Sequence, residues 1–159
     1  MGFHSNLGGH TMTFDPSRLL DIGIAYVLAF PLGLERERSE HTAGIRTFPL
    51  VAIATCAFLM GAEDLKKEYA DVVSRVLQGI VAGMGFIGGG AILKTGNAVM
   101  GTATAAGLWA TAAIGACVAL HSYDIAIALS VLCFLTLHVL KRFTHEPEVG
   151  AGKHDAGKV

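Results

Sequence analysis

The sequence predicts an all-α fold: a polytopic membrane helix bundle of about five transmembrane helices. Three observations carry this. Hydrophobic residues make up 52% of the 159 residues and charged residues only 16%, with a mean hydropathy of +0.53, too apolar for an ordinary soluble domain. The apolar residues fall into long uncharged runs separated by short polar connections. The stretch Gly79–Leu93, GIVAGMGFIGGGAIL, holds six glycines in fifteen residues and no charge. In water each interior glycine costs a helix about 1 kcal/mol relative to alanine. In a bilayer the backbone has no water to bond, so a helix is nearly forced, and glycine lets a second helix come close. This stretch therefore reads as a membrane helix at the centre of the bundle.

The first apolar run is Leu19–Leu34, with Asp21 near its start and Pro31 near its end, and Glu35-Arg36-Glu37-Arg38 is expected to stop it. The second is Thr47–Ala62, between Arg46 and Glu63, and the third is Val76–Leu93, between Arg75 and Lys94. The polar turn Thr95-Gly96-Asn97 separates the third helix from a fourth, over roughly Val99–Leu120. The fifth is Ile125–Leu140, from Asp124 to Lys141. Several runs hold only about sixteen uncharged residues, just under the usual range of about 17–25 for a span. Either the helices extend into their polar flanks with arginines snorkelling, or one run is a re-entrant or buried segment. Five spans is the favoured reading.

Residues 1–17 read as a polar segment without a removable signal peptide, residues 18–142 as the transmembrane domain, and residues 143–159 as a disordered cytoplasmic tail. Five spans put the termini on opposite sides. Eight Lys and Arg (Arg36, Arg38, Arg46, Lys94, Lys141, Arg142, Lys153, Lys158) then share one side, against Arg18, Lys66, Lys67 and Arg75 on the other. That bias places the N-terminus outside and the C-terminus in the cytoplasm. Leu65, Tyr69, Val72 and Val73 share one helical face in the connection Glu63–Arg75, consistent with a short amphipathic helix on the outer surface or with a solvated turn. A shift of 57 residues superposes Arg18 on Arg75, Gly33 on Gly90, Gly44 on Gly101 and Thr47 on Thr104, which is either a duplicated helical hairpin or chance in a chain rich in Gly and Ala.

A net charge of −1 offers no basic surface for nucleic acid. Cys56, Cys117 and Cys133 sit inside apolar runs without metal-ligand spacing. There is no nucleophile elbow, phosphate loop, His-Glu-x-x-His or Cys pair, so an enzyme is the weakest class and no cofactor or metal is expected.

Three groups of residues could carry function. In the first connection, Glu35 and Arg46 each sit where a helix meets the interface; a Glu35–Arg46 pair would fix the hairpin, and the plainer alternative is a charge cluster that only sets topology. The second group is the glycine helix with its partner face on the fourth helix. Gly79 with Gly83, and Gly85 with Gly89, form small-xxx-small grooves, answered by Gly101, Ala105, Ala112 and Ala116. Thr102, Thr104 and Thr111 can bond back to their own helix or across to another. These features serve tight packing alone, or they line a polar path suited to a hard cation or water. The third is Asp21, the carboxylate closest to membrane depth. A lone Asp does not make a magnesium site. His121 and His138 are expected to serve packing rather than proton relay, and Trp109 to enter the glycine groove or face a partner.

Glu35-Arg36, Ala43-Gly44-Ile45-Arg46-Thr47, Gly83-Met84-Gly85-Phe86-Ile87-Gly88-Gly89-Gly90 and Ala105-Ala106-Gly107-Leu108-Trp109 occur in the order and spacing of the MgtC/SapB family. The chain resembles that family over roughly residues 18–142, in the short form lacking a soluble C-terminal domain. The resemblance implies a bacterial inner-membrane protein linked to magnesium limitation, membrane energetics and virulence. It also implies a non-enzymatic regulator acting on a partner such as ATP synthase or a cation pump; the groove-bearing helices suit a homo-oligomer as well. Two family preferences are missing, since Met100 stands where a basic residue is frequent and Ala103 where a polar one is. The alternative function is a small cation or proton transporter using Asp21 and the Gly/Thr face of the third and fourth helices.

Overall fold

A computed structural model describes residues 15–39, 43–66, 70–95 and 98–140. Among them are five long helices, α1 (Pro16–Ser39), α2 (Thr47–Leu65), α3 (Val72–Gly90), α4 (Thr102–Ala119) and α5 (Tyr123–Leu140), and one hairpin of β1 (Leu93–Thr95) and β2 (Ala98–Met100). All five helices are long and apolar enough to cross a membrane. α1, α2, α3 and α5 reach that length by running into their polar flanks, whereas α4 is shorter than the run expected for it. The expectations for the N-terminal segment, for the tail after residue 142, and for Lys67, Glu68, Tyr69, Gly96 and Asn97 lie outside the described residues.

Three boundaries differ from expectation. The cluster Glu35–Arg38 does not stop α1, because Glu35 and Arg36 turn into the bundle while Glu37 and Arg38 stay exposed. Charged side chains are good helix formers once they have somewhere to go. α3 ends at Gly90, not Leu93, because Leu93 pairs with Met100 and Lys94 with Val99 in the antiparallel hairpin. α4 starts after Gly101, whose φ of +83° suits glycine and where a β-carbon would run into the carbonyl of Ala91. The segment Glu63–Arg75 does not form a helix of its own in its described part: α2 extends to Leu65 and α3 begins at Val72.

The glycine-rich helix is not central. α4 is, packing against all four other helices and burying Thr104, Gly107, Leu108, Thr111, Ile114 and Val118. α3 lies at the edge and buries only Met84 and Gly88. The reason is distribution. α4 is uncharged and carries small residues on several faces, so neighbours can surround it, whereas α3 turns Phe86 outward, 86% exposed. Close approach is concentrated between α2 and α4. A β-carbon on Gly115 would strike the backbone of Ala52, and one on Gly107 would come within 3.0 Å of the Phe48 ring. Phe48, Ala52, Cys56 and Leu59 fill this side, with Ala25, Ala29 and Leu32 of α1 behind them.

The 57-residue shift aligns Gly44 with Gly101, and each glycine carbonyl accepts an amide from the first turn of the following helix. The connections around them differ: an irregular segment leads into α2 and a β-hairpin into α4.

The glycines thus divide into two kinds. Gly115→Ala should destabilise the bundle by about 1–3 kcal/mol through overpacking. Gly83→Ala, with nothing within 4 Å of the added methyl, should change stability by less than about 0.5 kcal/mol. Thermal unfolding of the detergent-solubilised protein, followed by circular dichroism, measures both.

Candidate functional site: two polar clusters

Asp21 and Glu35 are fourteen residues apart on α1, about 21 Å along a helix axis. Each anchors a polar cluster at one end of the bundle. At the first end, Asp21 is 3% exposed, and the Tyr123 hydroxyl donates to its Oδ1 at 2.7 Å. With the phenol proton directed at Asp21, the phenol oxygen accepts from His121 Nδ1 at 2.9 Å. The same His121 nitrogen is 3.9 Å from Asp21 Oδ2. His121 takes its position from a left-handed backbone, φ 55°, just beyond α4. A cavity of about 420 Å³ opens here, lined by Arg18, Asp21, Glu63, Lys66 and His121 among others. Arg18 pairs with Asp64 across α1 and α2 at 2.6 Å. Just before α1, the Ser17 hydroxyl and amide bond Asp15 at 2.7 and 2.9 Å and hold its carboxyl below the usual aspartate value. That contribution to the helix start is present above the ordinary carboxylate range and is lost as pH falls through the lowered value.

At the other end, Glu35 and Arg36 are buried, 7% and 4% exposed. Arg36 Nε donates to Thr104 Oγ1 at 3.1 Å, tying α1 to the first turn of α4. Glu35 Oε2 faces His138 Nδ1 at 3.2 Å, and the Phe134 ring stacks on that imidazole. The expected Glu35–Arg46 pair is not formed. Arg46 is exposed, and the first connection is held by Glu37, which accepts the Ile45 amide at 3.1 Å. Rotation about the axis of α1 decides this, since consecutive residues point about 100° apart on a helix.

The remaining expected residues scatter. Thr47 opens α2, half-buried, and Thr102 is exposed at the start of α4. A β-carbon on Gly88 would lie 3.6 Å from Ala105, the one place where a glycine of α3 seats against α4. Gly79, Gly83, Gly85, Gly89 and Gly90 have open space where a side chain would be, so the two small-xxx-small grooves do not receive α4. Trp109 is half-exposed over the apolar flank of α3, beside Leu77, Val81 and Met84 rather than in the glycine groove. Thr104 and Thr111 are fully buried; one accepts from Arg36 and the other donates to the Gly107 carbonyl at 2.8 Å. Between the two clusters the interior is built mostly of apolar residues, Ala25, Ala29, Leu32, Leu59, Leu108 and Ile114, and the buried hydroxyls of Thr111 and Ser130 bond to backbone carbonyls there. Among the described residues no three His, Cys, Asp or Glu are grouped to hold a metal ion.

Sequence reasoning missed Tyr123 and Ser130, whose hydroxyl donates to the Leu28 carbonyl at 2.7 Å. A signal was available. Asp21, Leu28 and Glu35 recur every seven residues on α1, and Tyr123, Ser130 and His138 recur every seven or eight on α5.

Comparison with known proteins gives a consistent result. The model of the MgtC family matches residues 22–146. The chain is 35% identical to the protein SrpB of Synechococcus elongatus, over 75% of this chain and 72% of that one. It is 33% identical to YhiD of Escherichia coli, over 76% of this chain and 59% of that one. It is 33% identical to the protein MgtC of Salmonella typhimurium, over 78% of this chain and 52% of that one. The chain thus spans little more than half the length of the last two. No solved structure matches.

Thr104→Val should cost about 1–3 kcal/mol, because it removes the acceptor facing a buried guanidinium N–H. Thr104→Ser, which keeps the hydroxyl, should cost less. A double-mutant cycle pairing Thr104→Val with Arg36→Gln, read by thermal unfolding, should give a coupling within about 0.5–3 kcal/mol.

Proposed function

The chain belongs to the MgtC family, and from that premise we propose that this multi-pass membrane protein is a non-enzymatic regulator that docks α3 against another membrane protein. One observation carries the reading: α3 presents five glycines with open space at their α-carbons, and of its residues only Met84 and Gly88 are fully buried in the bundle. Small residues let two helix backbones approach within the membrane, where packing rather than hydrophobicity drives association. Val51, Phe58, Gly79, Gly83 and Ile87 border an apolar cavity of about 330 Å³ between α2 and α3, which gives a partner helix a shaped seat.

The setting we assign is the bacterial inner membrane, with the Asp21 end outside and the Glu35 end in the cytoplasm, following the Lys and Arg bias. The process is adaptation to scarce magnesium, membrane energetics or virulence, and the partner class is an ion-translocating complex such as ATP synthase or a cation pump. Cation or proton transport along the α3–α4 face is the competing reading. It is the weaker one, because both buried threonines of α4 already bond to protein groups and the glycine face points away from α4.

The test is photocrosslinking in native membranes from Phe86, with Leu132 on α5 as the control position. Phe86 should trap a specific heterologous membrane protein that Leu132 does not, and Gly83→Leu should abolish the adduct while leaving the thermal stability of the bundle unchanged. Self-adducts alone would replace the regulator with a homo-oligomer. Cation flux into proteoliposomes above that of empty vesicles, lost in Asp21→Asn, would establish the transport reading instead.

A further inference from the structure

The contact between α1 and α5 has a regularity that the docking of α3 leaves unused. Asp21 meets Tyr123, Leu28 meets Ser130, and Glu35 meets His138, so the two helices run parallel and in register. All three contacts are polar. α5 also packs on the core through Leu129, Cys133 and Leu137, half-buried; Ala126 and Ser130 are its fully buried residues, and Leu132, Val131 and Leu140 face outward.

Both end contacts combine a buried carboxylate with an accessible imidazole. The side chains of Asp21 and Glu35 are 5% and 8% exposed, those of His121 and His138 69% and 53%. We propose that the α1–α5 seam binds a proton at each end of the bundle, on His121 and on His138, and that these protons set how firmly α5 is clasped to α1. At the Glu35 end, an imidazolium donates a charge-assisted bond from Nδ1 to Oε2, roughly twice as strong as its neutral counterpart. At the Asp21 end, His121 donates to the Tyr123 oxygen, Tyr123 donates to Asp21, and the positive ring faces Asp21 Oδ2. Histidine is the side chain whose ordinary titration falls between about pH 5 and 8. The clasp is closed when the two rings carry their protons and loosens when they lose them, so a pH change across that range reads the proposal.

Among the described residues, further charged groups stand around each ring. Around His121 stand Asp15, Arg18, Glu63 and Lys66 of the same cavity, and Asp124 at the start of α5, with Arg18 engaged by Asp64. Beside His138 stands Glu35 of α1, whose neighbour Arg36 bonds Thr104, and α4 contributes no charged residue. The proposal is independent of what α3 docks against.

The experiment uses the full chain in lipid nanodiscs, with Cys56, Cys117 and Cys133 replaced by alanine. Spin-label pairs are placed at Leu19→Cys with Ile125→Cys for one end and at Arg38→Cys with Val139→Cys for the other. Dipolar broadening should be strong near pH 5, and the short-distance component should be lost by about pH 8 at both ends. His121→Gln should flatten the profile at the first end only, and His138→Gln at the second end only. Asp21→Asn and Glu35→Gln, which keep the histidines, provide a second route to the same two flattened profiles. No pH response in the parent, or one that survives both histidine replacements together, overturns the proposal.

Discussion

The close approach of α2 to α4 is the constraint on which the rest of the bundle depends. Gly115 leaves room for the Ala52 backbone and Gly107 for the Phe48 ring, and neither position tolerates a side chain without displacing a neighbour. Within a bilayer, apolar burial does little to bring helices together, so contact area at short range must do it. Glycine costs little there, because the helix has no competing hydrogen bonds to water. With α2 seated on α4, the remaining faces of α4 receive α1, α5 and α3. α1 fills the space behind α2 with Ala25, Ala29 and Leu32.

Charge is confined to the two ends, and the burial of each charge is offset by a partner from another helix. A buried ion or guanidinium left alone is expensive, and one that is bonded becomes a tie between elements. Arg36 ties α1 to α4 through Thr104, Glu35 meets α5 through His138, and Asp21 meets α5 through Tyr123. α1 is thus the helix through which the polar contacts of the bundle run, although α4 is its packing centre. α3 takes part in neither role, which is why its open glycine face is available to something outside the chain.

Much of the fold was legible in the sequence, and the candidate site was legible only in pieces. The five apolar runs match the five helices, and the polar turn at Thr95-Gly96-Asn97 foreshadowed a reversal, though not the hairpin flanking it. Asp21, Glu35 and Arg36 were marked by charge beside apolar sequence, and all three are buried. Their partners were not legible. Glu35 was matched to Arg46 because the two are near in sequence, whereas its observed partner is His138, 103 residues away. The glycine pattern of Gly79–Gly90 revealed that a helix could come close without revealing which helix, or on which side.

Hydrophobicity and helix length are properties of a local segment, so the sequence by itself determined the class of the protein, the number of candidate spans and, through linked motifs, its family. The rotation of each helix about its own axis is not local. It follows from which faces can interlock at α2–α4 and from which buried polar groups find partners. Only the tertiary structure decided that α4 is central and α3 marginal, that the glycines of α3 face outward, and that α1 and α5 meet along one seam with a carboxylate at each end.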